Sequence, residues 1–252
     1  MQKYTHDTVV PFKDSQLTKK EQVADMFDRI AFRYDFMNRF LSAGIDVRWR
    51  KKAIKELAEI NPQIILDVAT GTADVAIMIT KYLKPQKVIG IDISEGMLEL
   101  GKKKITELKL NHLVELHTGD SEAINFPDSS FDAITVAFGV RNFASLEKGL
   151  AEMLRVLKPG GKLVVLEFSK PRQLFFRKIY SLYMKTAAAG IGKWVAKNRE
   201  AYVYLNESVN AFPEGNDFLE ILSKAGYKDT YLKTLTLGIS TIYCGSKKGV
   251  DQ

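Results

Sequence analysis

The sequence predicts an α/β fold: a parallel sheet covered by helices on both faces, an N-terminal helical cap before it and a hairpin with an antiparallel strand at its C-terminal edge. Three observations carry this. Short apolar runs alternate with amphipathic helical stretches between residues 63 and 168, at the spacing of strand–helix units. Two helical stretches precede the first run. Two strand-like runs at the end of the chain are joined too tightly for a parallel crossover, so they pair as a hairpin. The 252 residues, 46% of them hydrophobic, suit one domain with a sizeable core.

The elements follow in order. Residues 18–40 place Val23, Phe27, Ile30 and Tyr34 at helical spacing, and residues 46–59 form a second amphipathic helix that stops near Asn61 and Pro62. QIILDVA is a buried strand by its unbroken apolar run, and ADVAIMITKYL is a helix. KVIGIDI is the next strand, followed by the helix SEGMLELGKKKITELK with Ser94 as its N-cap. LVELHTGD and FDAITVAFGV are strands, SLEKGLAEMLRVL is a helix, KPGG breaks the chain, and KLVVLEF is a strand. Residues 170–205 read as helical but irregular, an insertion. NDFLEILSKAGY restores an amphipathic helix ending at Gly226, and YKDTYLKTLT and GISTIYCGSKK form the closing hairpin. The single domain thus divides into a cap (1–60), a core (61–169), a helical insertion (170–210) and a C-terminal helix with hairpin (211–252).

Composition removes several classes of function. No apolar run reaches the roughly 18 residues of a membrane span, and the N-terminus has no apolar core of a secretory signal. Cys244 is the only cysteine, which excludes an internal disulfide and suits a reducing cytosol. With one cysteine and three scattered histidines, no metal site is expected. The net charge of +7 is concentrated: Lys170, Arg172, Arg177, Lys178, Lys185, Lys193, Lys197 and Arg199 fall in one stretch without an acidic residue. A global affinity for nucleic acid is therefore not expected, and no [ND]PPY motif of base methylation is present.

Ligands of an open parallel sheet bind beyond the carboxyl ends of its strands, near the point where strand order reverses. The first strand ends in Ala69-Thr70-Gly71-Thr72-Ala73-Asp74, a turn with one glycine, Gly71. The third glycine of a dinucleotide fingerprint is missing, which opposes NAD, and there is no P-loop. Asp67 can order this turn through backbone N–H groups or reach a ligand ammonium. Asp92 ends the second strand, where a carboxylate can accept from both hydroxyls of a ribose. Asp120 ends the third and can accept from an adenine amino group. An acidic pocket of this kind suits a cationic nucleoside without phosphate, and S-adenosylmethionine is one. Strand-end aspartates also serve simply as turn formers and helix caps.

The ordered set LDVATGTAD, GIDISEGML, GDSEAINFPDSSFD and LRVLKPGG is similar to the class I S-adenosylmethionine-dependent methyltransferases. YDFMNRFLSAGIDVRWR (34–50), FGVRN (138–142), LEFSKP (166–171) and YLNESVNAFP (204–213) resemble, more narrowly, the quinone-biosynthesis C-methyltransferases that act on demethylmenaquinol and on ubiquinol precursors. The turn carries Ala69 and Ala73 at positions where such enzymes often have glycine. The resemblance implies a Rossmann-like seven-stranded sheet with an antiparallel C-terminal edge strand. It also implies S-adenosylmethionine as cofactor, with Thr72, Asp92, Asp120 and Ser121 lining its site. The implied reaction is methylation of a polyprenyl quinol ring, demethylmenaquinol to menaquinol, with a ubiquinone-precursor benzoquinol as the alternative.

Such a reaction sets requirements. The nucleophilic carbon must lie in line with the methyl, about 3–3.5 Å away. An aromatic carbon becomes nucleophilic when a neighbouring hydroxyl loses its proton, so the site must accept that proton and stabilise the oxyanion. Arg141 and Asn142 of FGVRN stand at the end of the fourth strand, where Gly139 lets the chain turn closely. Arg141 is assigned to stabilising the phenolate, with an ordered water to take the proton onward, against the alternative that it pairs with a carboxylate such as Glu167 and only fixes the loop. Tyr34 of the cap can hydrogen-bond a quinol oxygen, and Asn38 can do so too or serve only as a helix-terminal polar residue. Tyr202, Tyr204 and Glu207 are weaker candidates, because Tyr202, Leu205 and Val209 at helical spacing read as core. The basic stretch 170–199, interleaved with Phe175, Phe176, Ile179, Leu182, Tyr183 and Trp194, reads as a surface for peripheral, reversible contact with anionic lipid. The expected location is cytoplasmic, with docking on the inner face of the cell membrane.

Overall fold

The computed structural model describes residues 4–42, 44–170 and 199–249. The cap consists of α1 (Lys19–Leu41) and α2 (Asp46–Lys55). Strands and helices then alternate: β1 (Ile64–Val68), α3 (Asp74–Leu83), β2 (Lys87–Asp92), α4 (Glu95–Glu107) and β3 (Val114–Thr118). β4 (Phe131–Ala137), α5 (Leu146–Val156) and β5 (Leu157–Phe168) complete the core. The chain closes with α6 (Arg199–Ala211), α7 (Asn216–Lys224), β6 (Lys228–Leu235) and β7 (Ser240–Ser246). Most of the predicted insertion, residues 171–198, lies outside the described residues.

One seven-stranded sheet has the order β3-β2-β1-β4-β5-β7-β6. β1 to β5 pair in parallel, and β7 runs antiparallel to both β5 and β6. The antiparallel strand therefore sits one place in from the edge, and its hairpin partner β6 is outermost. Successive residues of a strand point to opposite faces. Leu66, Ile134, Leu163 and Val165 pack with Leu150 and Met153 of α5 and with Phe218 and Leu222 of α7. Ile65, Ala133, Val164 and Leu166 pack on the other face with Ile54 of α2, Ile79 of α3 and Leu98 of α4. Burying both faces explains the unbroken apolar runs in the central strands. Each fully buried Leu, Ile or Val contributes about 1.5–3 kcal/mol relative to its exposed state.

Three local expectations are revised. β4 ends at Ala137, not at residue 140, because Phe138 adopts a left-handed φ of 59° and takes the chain out of the sheet into a 3-10 turn, Val140–Asn142. KPGG stops α5 but does not precede β5; it forms an irregularity inside it, as register passes from Phe131↔Leu157 to Ala133↔Lys162. On α6 the buried positions are Tyr204 and Ser208, not Tyr202, Leu205 and Val209. The predicted cap is present: Ser94 Oγ accepts from Met97 N–H at the start of α4.

Strand order reverses between β1 and β4, so the crevice opens beyond the carboxyl ends of these two strands. α1 lies over that crevice. Its Val23 and Met26 pack against Tyr204 of α6, which joins the cap to the C-terminal part of the chain.

Candidate active site

The turn after β1 is built from unusual backbone. Ala69, Gly71 and Ala73 have φ of 53°, 55° and 65°. A left-handed conformation costs a residue with a Cβ about 1–2 kcal/mol, a cost that Ala69 and Ala73 bear and Gly71 avoids. Ala69 has a further consequence. A Cβ placed on Gly139 would stand 2.5 Å from the Ala69 Cβ, so the two rims of the crevice touch and Gly139 admits no side chain.

The strand-end aspartates then separate by role. Asp67 is buried beneath the turn and accepts from Thr70 Oγ1 at 2.7 Å and Thr135 Oγ1 at 2.6 Å. It orders the turn through hydroxyls, and not through backbone N–H groups or by facing the crevice. Burial pushes its carboxyl up to about 6, against the pull of those hydroxyls and of Arg50. Asp92 accepts from Gly71 N–H at 2.8 Å and Ser94 N–H at 2.9 Å, one on each oxygen. Burial raises its pKa, the three N–H groups of Ser94, Gly71 and Ile93 oppose that, and the charge of Asp28 adds to it. The Asp92 carboxylate keeps acceptor capacity for a further donor. Asp120 accepts from Lys20 Nζ at 2.6 Å, and the same ammonium lies 2.9 Å from Glu122.

Gly71, Asp92, Asp120, Ser121, Tyr34 and Asn142 line one cleft of about 650 Å³, open solvent included. Lys20, Val23, Phe27, Met97, Phe138 and Phe143 supply much of the remaining wall. The cleft wall combines the carboxylates Asp92, Asp120 and Glu122 with aromatic side chains. Three predicted residues do not line it. Asp67 lies below the turn. Thr72 is buried, donates to Asp35 Oδ1 at 2.6 Å and receives Lys104 Nζ at 3.0 Å. Arg141 is 5% exposed, pairs with the fully buried Glu167 at 2.8 Å and also donates to Phe138 O. Of the two roles open to Arg141, the structure displays the pairing. Its guanidinium lies over the Phe168 ring, which stacks on Phe138 at 4.4 Å between centroids. Asn142 Nδ2 donates to the same Phe138 carbonyl at 3.4 Å. The side chain of Asn38 lies outside the described part of α1.

Sequence reasoning missed what fastens the cap. Asp28 accepts from Ser94 Oγ at 2.6 Å and Gly96 N–H at 2.9 Å, at the N-terminus of α4. Asp35 pairs with Lys104 at 2.5 Å, and Lys104 with Asp74 at 2.8 Å. Asp74 also holds Arg39 at 3.1 Å and Arg50 at 3.0 Å, and both arginines pair with Asp46. Burial pushes the Asp74 carboxyl up, but Arg50, Lys104 and Arg39 outweigh it and hold it below the usual carboxylate range. The one available signal was spacing: Lys20, Asp28 and Asp35 recur about every two turns of α1, beside the apolar positions Val23, Phe27 and Tyr34.

The sequence profile of the ubiE/COQ5 methyltransferase family matches residues 15–247. The chain belongs to that family. Within it, the chain is 43% identical to a demethylmenaquinone methyltransferase of Bacteroides fragilis, over 97% of this chain and 99% of that one. It is 45% identical to the ubiquinone/menaquinone biosynthesis C-methyltransferase UbiE of Geobacter sulfurreducens, over 92% and 91%. Solved structures of similar fold include a SAM-dependent methyltransferase from Thermotoga maritima, with TM-score 0.61 and 21% identity over 89% of this chain and 99% of that one. The [4+2]-cyclase SpnF is similar too, with TM-score 0.58 and 17% identity over 92% and 97%. At such identities the likeness concerns the fold alone, and the cyclase illustrates that this fold hosts more than one chemistry. Family membership makes the chain a methyltransferase, and the motif YDFMNRFLSAGIDVRWR acquires a physical meaning. Its Asp35, Arg39, Asp46 and Arg50 belong to the charge network that ties the cap to Asp74 and Lys104.

Proposed function

We propose that this chain is an S-adenosylmethionine-dependent C-methyltransferase that converts demethylmenaquinol to menaquinol. The single observation behind the substrate is the 43% identity, over nearly the whole of both chains, to the Bacteroides fragilis demethylmenaquinone methyltransferase. Relatives named for both ubiquinone and menaquinone biosynthesis stand at comparable identity, which keeps the benzoquinol as a second substrate to assay.

The cleft suits the cofactor. S-adenosylmethionine, when bound, supplies a methyl group on a sulfonium, and the overall reaction exchanges a ring proton for that methyl and leaves S-adenosylhomocysteine. Asp92 would hold the ribose hydroxyls on its remaining lone pairs, with its orientation already fixed by Gly71 and Ser94. Asp120 and Ser121 would hold the adenine edge. Asp92, Asp120 and Glu122 against the single Lys20 give the cleft wall a negative balance that favours a cationic ligand. Asp67 and Thr72 act from behind, by shaping the turn. Phe27, Phe138 and Phe143 exclude water from the acceptor end, where Tyr34 and Asn142 offer polar atoms to the quinol ring. Arg141, paired with Glu167, holds the Phe138 carbonyl to which Asn142 also donates.

Incubation of the protein with S-adenosylmethionine and reduced, short-tailed demethylmenaquinone tests the reading. Menaquinol, one methylene heavier than the reduced substrate, is the expected product by mass spectrometry. Binding of the cofactor without turnover of either quinol would overturn it.

We infer as well that the enzyme meets its lipid substrate by peripheral docking. No helix among the described residues is long and apolar enough to cross a membrane. The support is compositional: eight basic and no acidic residues in 170–199, where each basic group near an anionic leaflet contributes about 1 kcal/mol. Co-sedimentation with anionic vesicles should be lost when Arg177, Lys178, Lys185 and Lys193 are all changed to Glu. Equal binding by that variant at low salt would sink the idea.

A further inference from the structure

Three polar side-chain atoms are buried without a hydrogen-bond partner in one neighbourhood: Arg141 Nε, Asn142 Oδ1 and the Tyr204 hydroxyl. Arg141 and Asn142 share the 3-10 turn after β4, and α6, which carries Tyr204, packs on that turn. Tyr204 is 2% exposed and lies among Val23, Phe27 and Ile93, which also line the cleft. Its hydroxyl feels both halves of the neighbouring ion pair: burial raises its pKa, Arg141 pulls it down and Glu167 pushes it up.

A buried polar atom left unpaired costs about 1–3 kcal/mol. A phenylalanine at position 204 would supply the same packing without that cost, so packing does not explain the hydroxyl. The three atoms form a complementary set. Arg141 Nε–H can only donate, Asn142 Oδ1 can only accept, and the tyrosine hydroxyl can do either. A hydroquinone ring presents the matching chemistry. A ring oxygen that is losing its proton needs donors, and a ring hydroxyl needs an acceptor.

We propose that Tyr204 is a substrate-binding residue that, with Arg141 and Asn142, forms the polar end of the acceptor pocket and donates its hydroxyl to a ring oxygen of the quinol. This rests on the quinol reading of the cleft. Asn142 is the member that lines the cleft directly. Val23 and Phe27 line the cleft and belong to the apolar cluster that holds Tyr204, so the proposal requires these two side chains to move aside for the ring to reach the other members.

Tyr204→Phe removes the hydroxyl and keeps the ring. Three quantities are measured on wild type and variant: cofactor Kd by calorimetry, melting temperature, and kcat and KM for reduced demethylmenaquinone. The expected result is a kcat/KM for the quinol lower by about tenfold or more, the weight of one hydrogen bond to a charged acceptor. Cofactor Kd should be unchanged, and the melting temperature unchanged or higher. A variant with wild-type kcat/KM overturns the inference and leaves the quinol reading standing; that result means a structural water or nothing meets the hydroxyl. A kinetic loss matched by falls in melting temperature and cofactor affinity also overturns it, in favour of a purely structural tyrosine. If wild type methylates no quinol, both readings fall together.

Discussion

Asp92 and Asp67 end neighbouring strands 25 residues apart in sequence, yet the structure gives them opposite tasks. Asp92 lines the cleft and keeps acceptor capacity beyond its bonds from Gly71 and Ser94. Asp92→Ala is therefore expected to weaken S-adenosylmethionine binding by about 2 kcal/mol or more in calorimetry, because two ribose hydroxyls lose a charged acceptor. Wild-type affinity in a folded variant would remove Asp92 from the site. Asp67 is buried and does not line the cleft, and its expected effect is on stability. Its folded pKa, raised by burial to about 6, exceeds the unfolded value of 3.8. Between those values the folded state binds the extra proton, so this group's stabilising contribution is full below about pH 4 and is lost as pH rises through 6. Asp67→Asn carries no such charge. Denaturant titrations at pH 4 and pH 7 should show the variant gaining on wild type as pH rises, by on the order of 2–3 kcal/mol at most. A difference independent of pH would mean that Asp67 titrates normally.

At the scale of elements, two contacts hold the rim. The first is steric. Gly139→Ala drives a methyl to within 2.5 Å of the Ala69 Cβ and should cost about 1–3 kcal/mol in denaturant unfolding. Adding Ala69→Gly removes the obstacle and a left-handed alanine together, so the double variant should recover most of the loss. If the double variant is no better than the single, the two rims do not touch as described. The second contact is electrostatic. Arg141→Ala leaves Glu167 buried without its cation, and breaking a buried pair in this way costs about 3–5 kcal/mol. The variant should melt markedly lower, and at temperatures where it stays folded kcat should fall more than cofactor affinity. A loss confined to cofactor affinity would contradict the role proposed for Arg141 toward the quinol.

Across the whole molecule, the cleft is walled on one side by the sheet and on the other by α1, through Lys20, Val23, Phe27 and Tyr34. A ligand between them binds the folded state and ties cap to core. At a hundredfold excess over Kd it should add about 2.7 kcal/mol to the unfolding free energy. Limited trypsin digestion is a sharper test, because Arg29 and Arg33 are exposed on α1. Cutting there should slow when S-adenosylmethionine is present and stay unchanged with ATP. Equal protection by both would point to a nucleotide site without selectivity.

The sequence by itself determined the alternation of strands and helices, the hairpin and the places of Asp92, Asp120 and Asn142, because these depend on local period and on position relative to strand ends. It also held the glycine requirement at residue 139, although the reason, the Ala69 methyl, comes from another strand end. Only the tertiary structure decided which strand-end residues face the cleft. Asp67, Thr72 and Arg141 sit on the right segments but turn inward, toward Thr135, Asp35 and Glu167. It also decided the fastening of the cap, where Lys20 meets Asp120 and Asp28 meets Ser94, across 100 and 66 residues of chain. An ion pair between distant segments has no period and no motif. It exists only where packing has already brought the two charges within reach, and that packing is set by the apolar faces of α1 and the sheet.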